Sequence, residues 1–189
     1  MTAKQYQDLM LPKLRGRLDG LEVINEWSAF RGVYGQYSPR VDIAVGPFST
    51  ITDQTLINEY NRILKQEELI MFLRKVFDFH LINTQQSLLE TEKIYHINSK
   101  IRKNKNARCF MAIEIENTST KKHIMGSMVN ACSLGRIGIG VAFNDSVVRT
   151  FNRIVRYLSF LERVGKTSYD TTNFFIITKE QFQELLEQN

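Results

Sequence analysis

Three acidic residues pose the chemical question in this chain. Glu114 and Glu116 stand two apart in Phe110-Met111-Ala112-Ile113-Glu114-Ile115-Glu116-Asn117, a stretch that otherwise reads as a buried strand. Residues two apart in a strand share a face. Both carboxylates therefore point the same way, with Ala112 and Phe110 beneath them, while Met111, Ile113 and Ile115 point the other way. Two unpaired carboxylates on one buried face repel each other and are costly to desolvate. A positive group belongs beside them, either a metal ion or Lys and Arg.

The third acid is Asp42. Arg40-Val41-Asp42-Ile43-Ala44-Val45-Gly46-Pro47 reads as a short strand ended by Gly-Pro. Val41, Ile43 and Val45 share one face, and Asp42, Ala44 and Gly46 share the other. Asp42 thus has small neighbours, as Glu114 has in Ala112. If the two strands pair with these faces aligned, room is left above the sheet beside three carboxylates. The competing reading pairs Asp42 with Arg40 or uses it to cap a turn. Clustered carboxylates suit Mg²⁺ or Mn²⁺, and the lack of grouped His and Cys argues against zinc. An ion held this way supplies what phosphodiester hydrolysis needs: an activated water and a countercharge. Sharing one ion requires Asp42 and Glu114 to lie within about 10 Å of each other, given Mg–O distances near 2.1 Å.

The whole chain bounds these readings. It has 189 residues, 43% of them apolar and 24% charged, as in an ordinary globular protein, and one domain spanning 1–189 is expected. No apolar run approaches the roughly 20 residues that span a bilayer, and Met1 to Gln7 carries no hydrophobic signal core. A cytoplasmic protein without a membrane partner is expected. Cys109 and Cys132 give neither a disulfide framework nor a metal-ligand spacing and read as reduced and buried. The net charge of +5 weakly favours an anionic partner. No Gly-x-x-x-x-Gly-Lys-Ser/Thr loop is present, which argues against ATP hydrolysis. Gly138 and Gly140 read as close-packing residues within a strand.

Stepping along the chain, residues 3–19 have helical spacing, with a break or restart at Pro12 and a stop at Gly20. Residues 21–30 give no clear preference, and 32–39 are turn-rich. Thr52-Asp53 reads as a helix cap. Residues 51–80 are strongly helical, as two helices or one bent one, and 85–97 fit helix or extended chain. Ser99 to Arg108 is a basic loop whose Lys100, Arg102, Lys103 and Lys105 suit contact with nucleic-acid phosphates, or simply solvent. A helix over 121–134 starts at Thr118-Ser119-Thr120, with Lys121, Lys122 and His123 in its first turn. Cations are disfavoured there by the helix dipole, so a local negative charge is expected to hold them. A strand over 136–144, a helix over 147–164, a strand over 174–178 and a terminal helix follow. A strand, a helix and a strand in succession imply a parallel crossover. Arg149, Arg153 and Arg156 share one face of the 147–164 helix, as a phosphate track or a solvated face.

The succession of helix, strand with Asp, strand with Glu-x-Glu, helix and strand resembles the PD-(D/E)xK nuclease superfamily. The resemblance rests on Ser38-Pro39-Arg40-Val41-Asp42 and Ala112-Ile113-Glu114-Ile115-Glu116, and covers about half the chain. It implies a restriction-endonuclease-like α/β fold, a mixed central sheet flanked by helices, with a helical insertion at about 51–97. It implies a Mg²⁺- or Mn²⁺-dependent deoxyribonuclease whose partner is DNA, with a homodimer open. By this resemblance Asp42 and Glu114 bind the metal and Glu116 completes the catalytic set. The family usually has Lys where this chain has Glu116, which leaves Glu116 as a general base or metal-positioning group, with Lys121 or Lys122 supplying the missing charge. A supporting acid comes from the first helical region, with Glu22 as the local candidate.

Three alternatives stand beside this reading. One is a catalytically inactive DNA-binding or assembly protein of the same fold. Another is a hydrolase using paired carboxylates on a different substrate, such as a glycoside. The last is a structural protein whose Glu114 and Glu116 are neutralised by Lys121, Lys122 or Arg40.

Overall fold

The computed structural model describes residues 1–30, 38–51, 53–86, 88–167 and 170–187. Five strands form one mixed sheet: β1 (Val23–Ser28), β2 (Arg40–Val45), β3 (Cys109–Glu116), β4 (Gly135–Ala142) and β5 (Phe174–Thr178), in that spatial order. β2 runs antiparallel to both β1 and β3, and β3, β4 and β5 run parallel. Among the described residues the helices are α1 (Ala3–Arg17), α2 (Gln54–Ile63), α3 (Glu67–Thr84), α4 (Glu90–Ile101), α5 (Lys121–Leu134), α6 (Asp145–Arg163) and α7 (Lys179–Glu187). Neighbouring strands β2 and β3 are separated in sequence by α2, α3 and α4, so the helical insertion extends to Ile101. No helix among the described residues is long and apolar enough to cross a membrane.

The two faces of the sheet bury different layers. Ile43, Val45, Met111, Ile113, Ile115, Ile137 and Ile139 pack with residues of α1, α2, α3, α4 and α7. Ala44, Ala112, Ala142, Phe174 and Ile176 pack with α5 and α6. β3 and β4 are buried along their full lengths. Burial of each Ile on these strands stabilises the fold by about 1.5–3 kcal/mol, and this apolar anchorage fixes the strand that carries Glu114 and Glu116. The small side of β4 lets helices come close. A Cβ on Gly140 would lie 2.6 Å from Phe174 and 2.8 Å from Phe151. Cys109 and Cys132 are free and buried.

Several local expectations change. Pro12 lies inside an unbroken α1, exposed on its outer side, where the carbonyl it leaves unpaired can meet water. Residues 21–30 contain β1, and the 51–80 segment is two helices, with Asp53 capping α2 through the Leu56 N–H at 2.8 Å. Thr52 and the turn-rich residues 32–37 lie outside the described residues. α6 is capped by Asn144, whose side chain accepts from the Val147 N–H. Strict alternation fails at two positions. Phe110 packs in the layer of α2 against Tyr60, with ring centroids 5.9 Å apart, and so does not lie beneath Glu114. Val41 packs in the α5–α6 layer with Ala29 rather than beside Ile43 and Val45.

Candidate metal centre

Asp42 and Glu114 meet where the β2–β3 ladder ends. The register pairs Val45 with Met111, Ala44 with Ala112 and Ile43 with Ile113, so the next pair along is Asp42 and Glu114. There the side chains take over the hydrogen bonding. Asp42 Oδ2 accepts from the Ile115 N–H at 2.8 Å, and the Asp42 backbone acts on the Glu114 carboxylate to favour its ionised form. Asp42 is thereby locked to the strand that carries Glu114. Below them the Ala44–Ala112 pair supplies the small floor expected from the sequence.

The acids line an open cleft of about 970 Å³ between the N-terminal turns of α1 and α5. Glu116 lines the same cleft, held from α5. Its Oε1 accepts a short hydrogen bond from Ser127 Oγ, and its Oε2 lies 3.3 Å from His123 Nε2. His123 and Ser127 are four apart and share a helix face, which accounts for a basic residue in a first turn. From α1, Gln7 donates to the Asp42 carbonyl at 2.5 Å, and Lys4 also reaches the cleft. Lys122 lines it too, whereas Lys121 does not.

Electrostatics separates the three acids. Burial lifts the Glu114 pKa well above the usual carboxylate range, and the nearby Asp42 and Glu116 charges lift it further. Asp42 is raised mainly by burial, against the lowering effect of its bond from Ile115. Burial also raises Glu116, opposed by Ser127 and His123. Among the described residues, no Lys, Arg or His forms an ion pair with Asp42 or Glu114. A hard divalent cation fits this pair: two unneutralised carboxylates fixed on rigid strands, facing an open cleft. Also among the described residues, no group of three or more His, Cys, Asp or Glu side chains forms a ready-made metal cage. Two protein carboxylates with water completing the octahedron is the usual way Mg²⁺ is held.

The sequence reading missed Glu26. It sits on β1 between Asn25 and Trp27, which pair with Ile43 and Val41, so it lies opposite Asp42 and extends the acidic row to three strands. Its φ of 51° is left-handed, which costs a non-glycine residue about 1–2 kcal/mol. Arg40 at 3.0 Å and Lys4 at 3.5 Å hold its carboxylate. Glu22, the acid proposed from the sequence, lies elsewhere, at the start of β1 beside Gly46, to whose N–H its carbonyl accepts. Arg40 therefore forms its ion pair with Glu26, and its charge reaches Asp42 only as a weaker influence than burial.

The basic segment is not brought to the acids. Ser99 to Ile101 form the last turn of α4 rather than a loop, and the remainder leads into the N-terminal end of β3, opposite Glu116. Lys100 turns inward and donates to the Thr172 carbonyl at 3.2 Å. Arg102 donates to Asn61, and Lys103 pairs with Asp170 at 2.5 Å. Lys105 lines a separate cleft with Asn104 and Asn106. No family model, no curated protein and no solved structure matches this chain.

Proposed function

We propose that this protein is a divalent-metal-dependent DNA nuclease of the PD-(D/E)xK type, built on a restriction-endonuclease-like sheet. The observation that carries the reading is the Asp42–Glu114 pair: a half-buried and a buried carboxylate on adjacent strands, the first bonded to the Ile115 N–H of the second's strand, and neither in an ion pair among the described residues. The order of elements supports it, with Asp42 on the second strand, Glu114 on the third, and a helix and a parallel strand following.

In this reading Asp42 and Glu114 would hold Mg²⁺ or Mn²⁺. A bound ion of this kind supplies a water of lowered pKa and a countercharge for the phosphorane-like transition state. Glu116 lies two residues from Glu114 on the same strand and accepts the proton of the attacking water. Ser127 and His123 orient that carboxylate and favour its ionised form. Lys122 and Lys4, at the mouth of the cleft, draw in the phosphate backbone and take the place of the lysine usual at the Glu116 position.

The engagement of Glu116 by Ser127 and His123 favours a second reading, a catalytically inactive DNA-binding or assembly relative of the same fold. Incubating supercoiled plasmid and single-stranded DNA with the protein and Mg²⁺ or Mn²⁺ separates the two. The nuclease reading expects metal-dependent nicking that Asp42→Asn and Glu114→Gln abolish. Activity without metal, or activity indifferent to both changes, overturns it. DNA binding without cleavage at any metal concentration selects the inactive relative.

A further inference from the structure

A second polar cavity lies at the opposite end of the parallel strands from the acids. α3, α4, α6 and the segment entering β5 enclose about 220 Å³. His80, Lys100, Arg156, Thr171 and Thr172 are in its wall, and no acid among the described residues lines it. Protein interiors rarely leave such donors idle, yet two here, the Thr172 hydroxyl and the His80 Nε2–H, have no acceptor among the described residues.

The Thr172 hydroxyl oxygen is buried and makes no hydrogen bond of normal geometry among the described residues, although it lies near enough to Asp170 to help lower that carboxyl's pKa. His80 is 4% exposed, and its Nδ1 accepts from the Ile176 N–H at 3.0 Å. A neutral imidazole that accepts through Nδ1 carries its proton on Nε2, and no described residue takes that proton in a hydrogen bond. Lys100 is drawn in beside them, with only the Thr172 carbonyl recorded as an acceptor. Asp170, the acid near Lys100, is already engaged by Lys103 and by the Thr172 N–H. Burial pushes the Lys100 pKa down, and the Asp170 charge only partly offsets it. Arg156 borders both this cavity and the adjoining groove that Arg149 and Arg153 line. That arginine row gives incoming anions a positive approach.

We propose that this cavity binds a tetrahedral oxyanion of the phosphate class, held by Lys100, Arg156, the His80 Nε2–H and the Thr172 hydroxyl. Donors alone line the charged part of the site, as an oxyanion requires, and charge-assisted bonds from Lys and Arg are the strong ones for phosphate. The space takes one phosphate group with a few waters, each occupying about 30 Å³. Free phosphate and a terminal phosphate on a nucleic-acid strand share this chemistry.

The test is titration of the full-length chain with inorganic phosphate in EDTA, followed by calorimetry and thermal unfolding. Phosphate should bind and raise the Tm of the wild type, and Glu114→Gln should respond equally, since it lies in the other cleft. Thr172→Val and Lys100→Met should each weaken binding by about tenfold or more. Thr172→Val removes a buried, unpaired hydroxyl, so the ligand-free variant should be at least as stable as the wild type, which rules out misfolding as the cause of lost binding. Equal phosphate affinity in the wild type and Thr172→Val overturns the proposal, as does no binding by the wild type at phosphate on the order of 10 mM. Competition by a 5′-phosphorylated oligonucleotide but not its 5′-hydroxyl twin supports the site with a strand end as ligand. Competition by neither supports it with free phosphate as ligand.

Discussion

The Asp42 carboxylate takes the Ile115 N–H at 2.8 Å, a backbone donor of the neighbouring strand, beside Glu114. The β2–β3 ladder stops one pair short of Asp42 and Glu114, at Ile43 and Ile113. The strands therefore part where the cleft opens, and Asp42 is fixed there by a hydrogen bond that the sheet gives up. Its carboxylate is pre-organised, since it cannot turn away without leaving that N–H unpaired. Glu114 is buried beside it, with the Asp42 and Glu116 charges near.

That geometry makes Glu114 costly in the metal-free protein. Its folded pKa is raised, so between its usual pKa and the raised value the folded state binds more protons than the unfolded state. Its contribution to stability is complete below the usual carboxylate pKa and is lost as pH rises through the folded value. Glu114→Gln should therefore stabilise the metal-free protein near neutral pH by about 1–3 kcal/mol. Denaturant melts in EDTA at acid and neutral pH check this, and the gain should shrink on the acid side.

Ser127 holds Glu116 toward its ionised form. Ser127→Ala should raise the Glu116 pKa and move the acid limb of the pH–rate profile for DNA cleavage to higher pH, with the plateau little changed. A profile that keeps its limb while losing its plateau would instead assign Ser127 to substrate contact.

The left-handed backbone of Glu26 separates strain from charge. Glu26→Ala and Glu26→Gly both remove the partner of Arg40 and Lys4, but only glycine relieves the φ of 51°. The glycine variant should be the more stable of the two by about 1 kcal/mol in urea unfolding. Both should cleave DNA more slowly than the wild type if Glu26 extends the acidic row.

His80 acts on the fold through the sheet edge. β5 is an edge strand, and α3 satisfies its free backbone groups: His80 accepts from the Ile176 N–H, and Asn83 donates to the Ile176 carbonyl at 3.0 Å. His80→Ala should cost about 1–3 kcal/mol, the penalty for leaving that buried N–H unpaired. Burial also depresses the His80 pKa from 6.5 to about 3. In that window the unfolded state binds the extra proton, so stability falls as pH drops below 6.5 and keeps falling until about 3. His80→Asn, which offers an acceptor near the position of Nδ1, should flatten this acid slope in urea melts between pH 6.5 and 4.

Asp42, Glu114 and Glu116 were legible in the sequence because acids interrupt apolar alternation there, and Ala44 and Ala112 marked the open side. Strand period also placed β3, β4 and β5 to within a residue or two. Glu26 was not legible. Its left-handed backbone has no glycine to announce it, and the strand around it mixes polar and aromatic residues. His80 was invisible for another reason. Its partner is a backbone N–H far along the chain, and no side-chain spacing encodes such a bond. The inward turn of Lys100 was hidden likewise, since a basic run looks the same whether its lysines face solvent or the Thr172 carbonyl. Phe110 and Val41 left their expected faces near the outer ends of their strands, where packing against Tyr60 and Ala29 overrides strict alternation.

The central claim is that Asp42 and Glu114 together make a divalent-cation site. Mn²⁺ titration of the full-length protein, read by calorimetry or by loss of the free-ion paramagnetic signal, tests it most directly. The account predicts Mn²⁺ binding in the wild type that tightens as pH rises, because the raised carboxyl pKa values make metal and proton compete. It predicts that Asp42→Asn and Glu114→Gln each abolish that binding while remaining folded. Mn²⁺ binding that survives both substitutions, or a wild type that binds no Mn²⁺ at neutral pH, would contradict it.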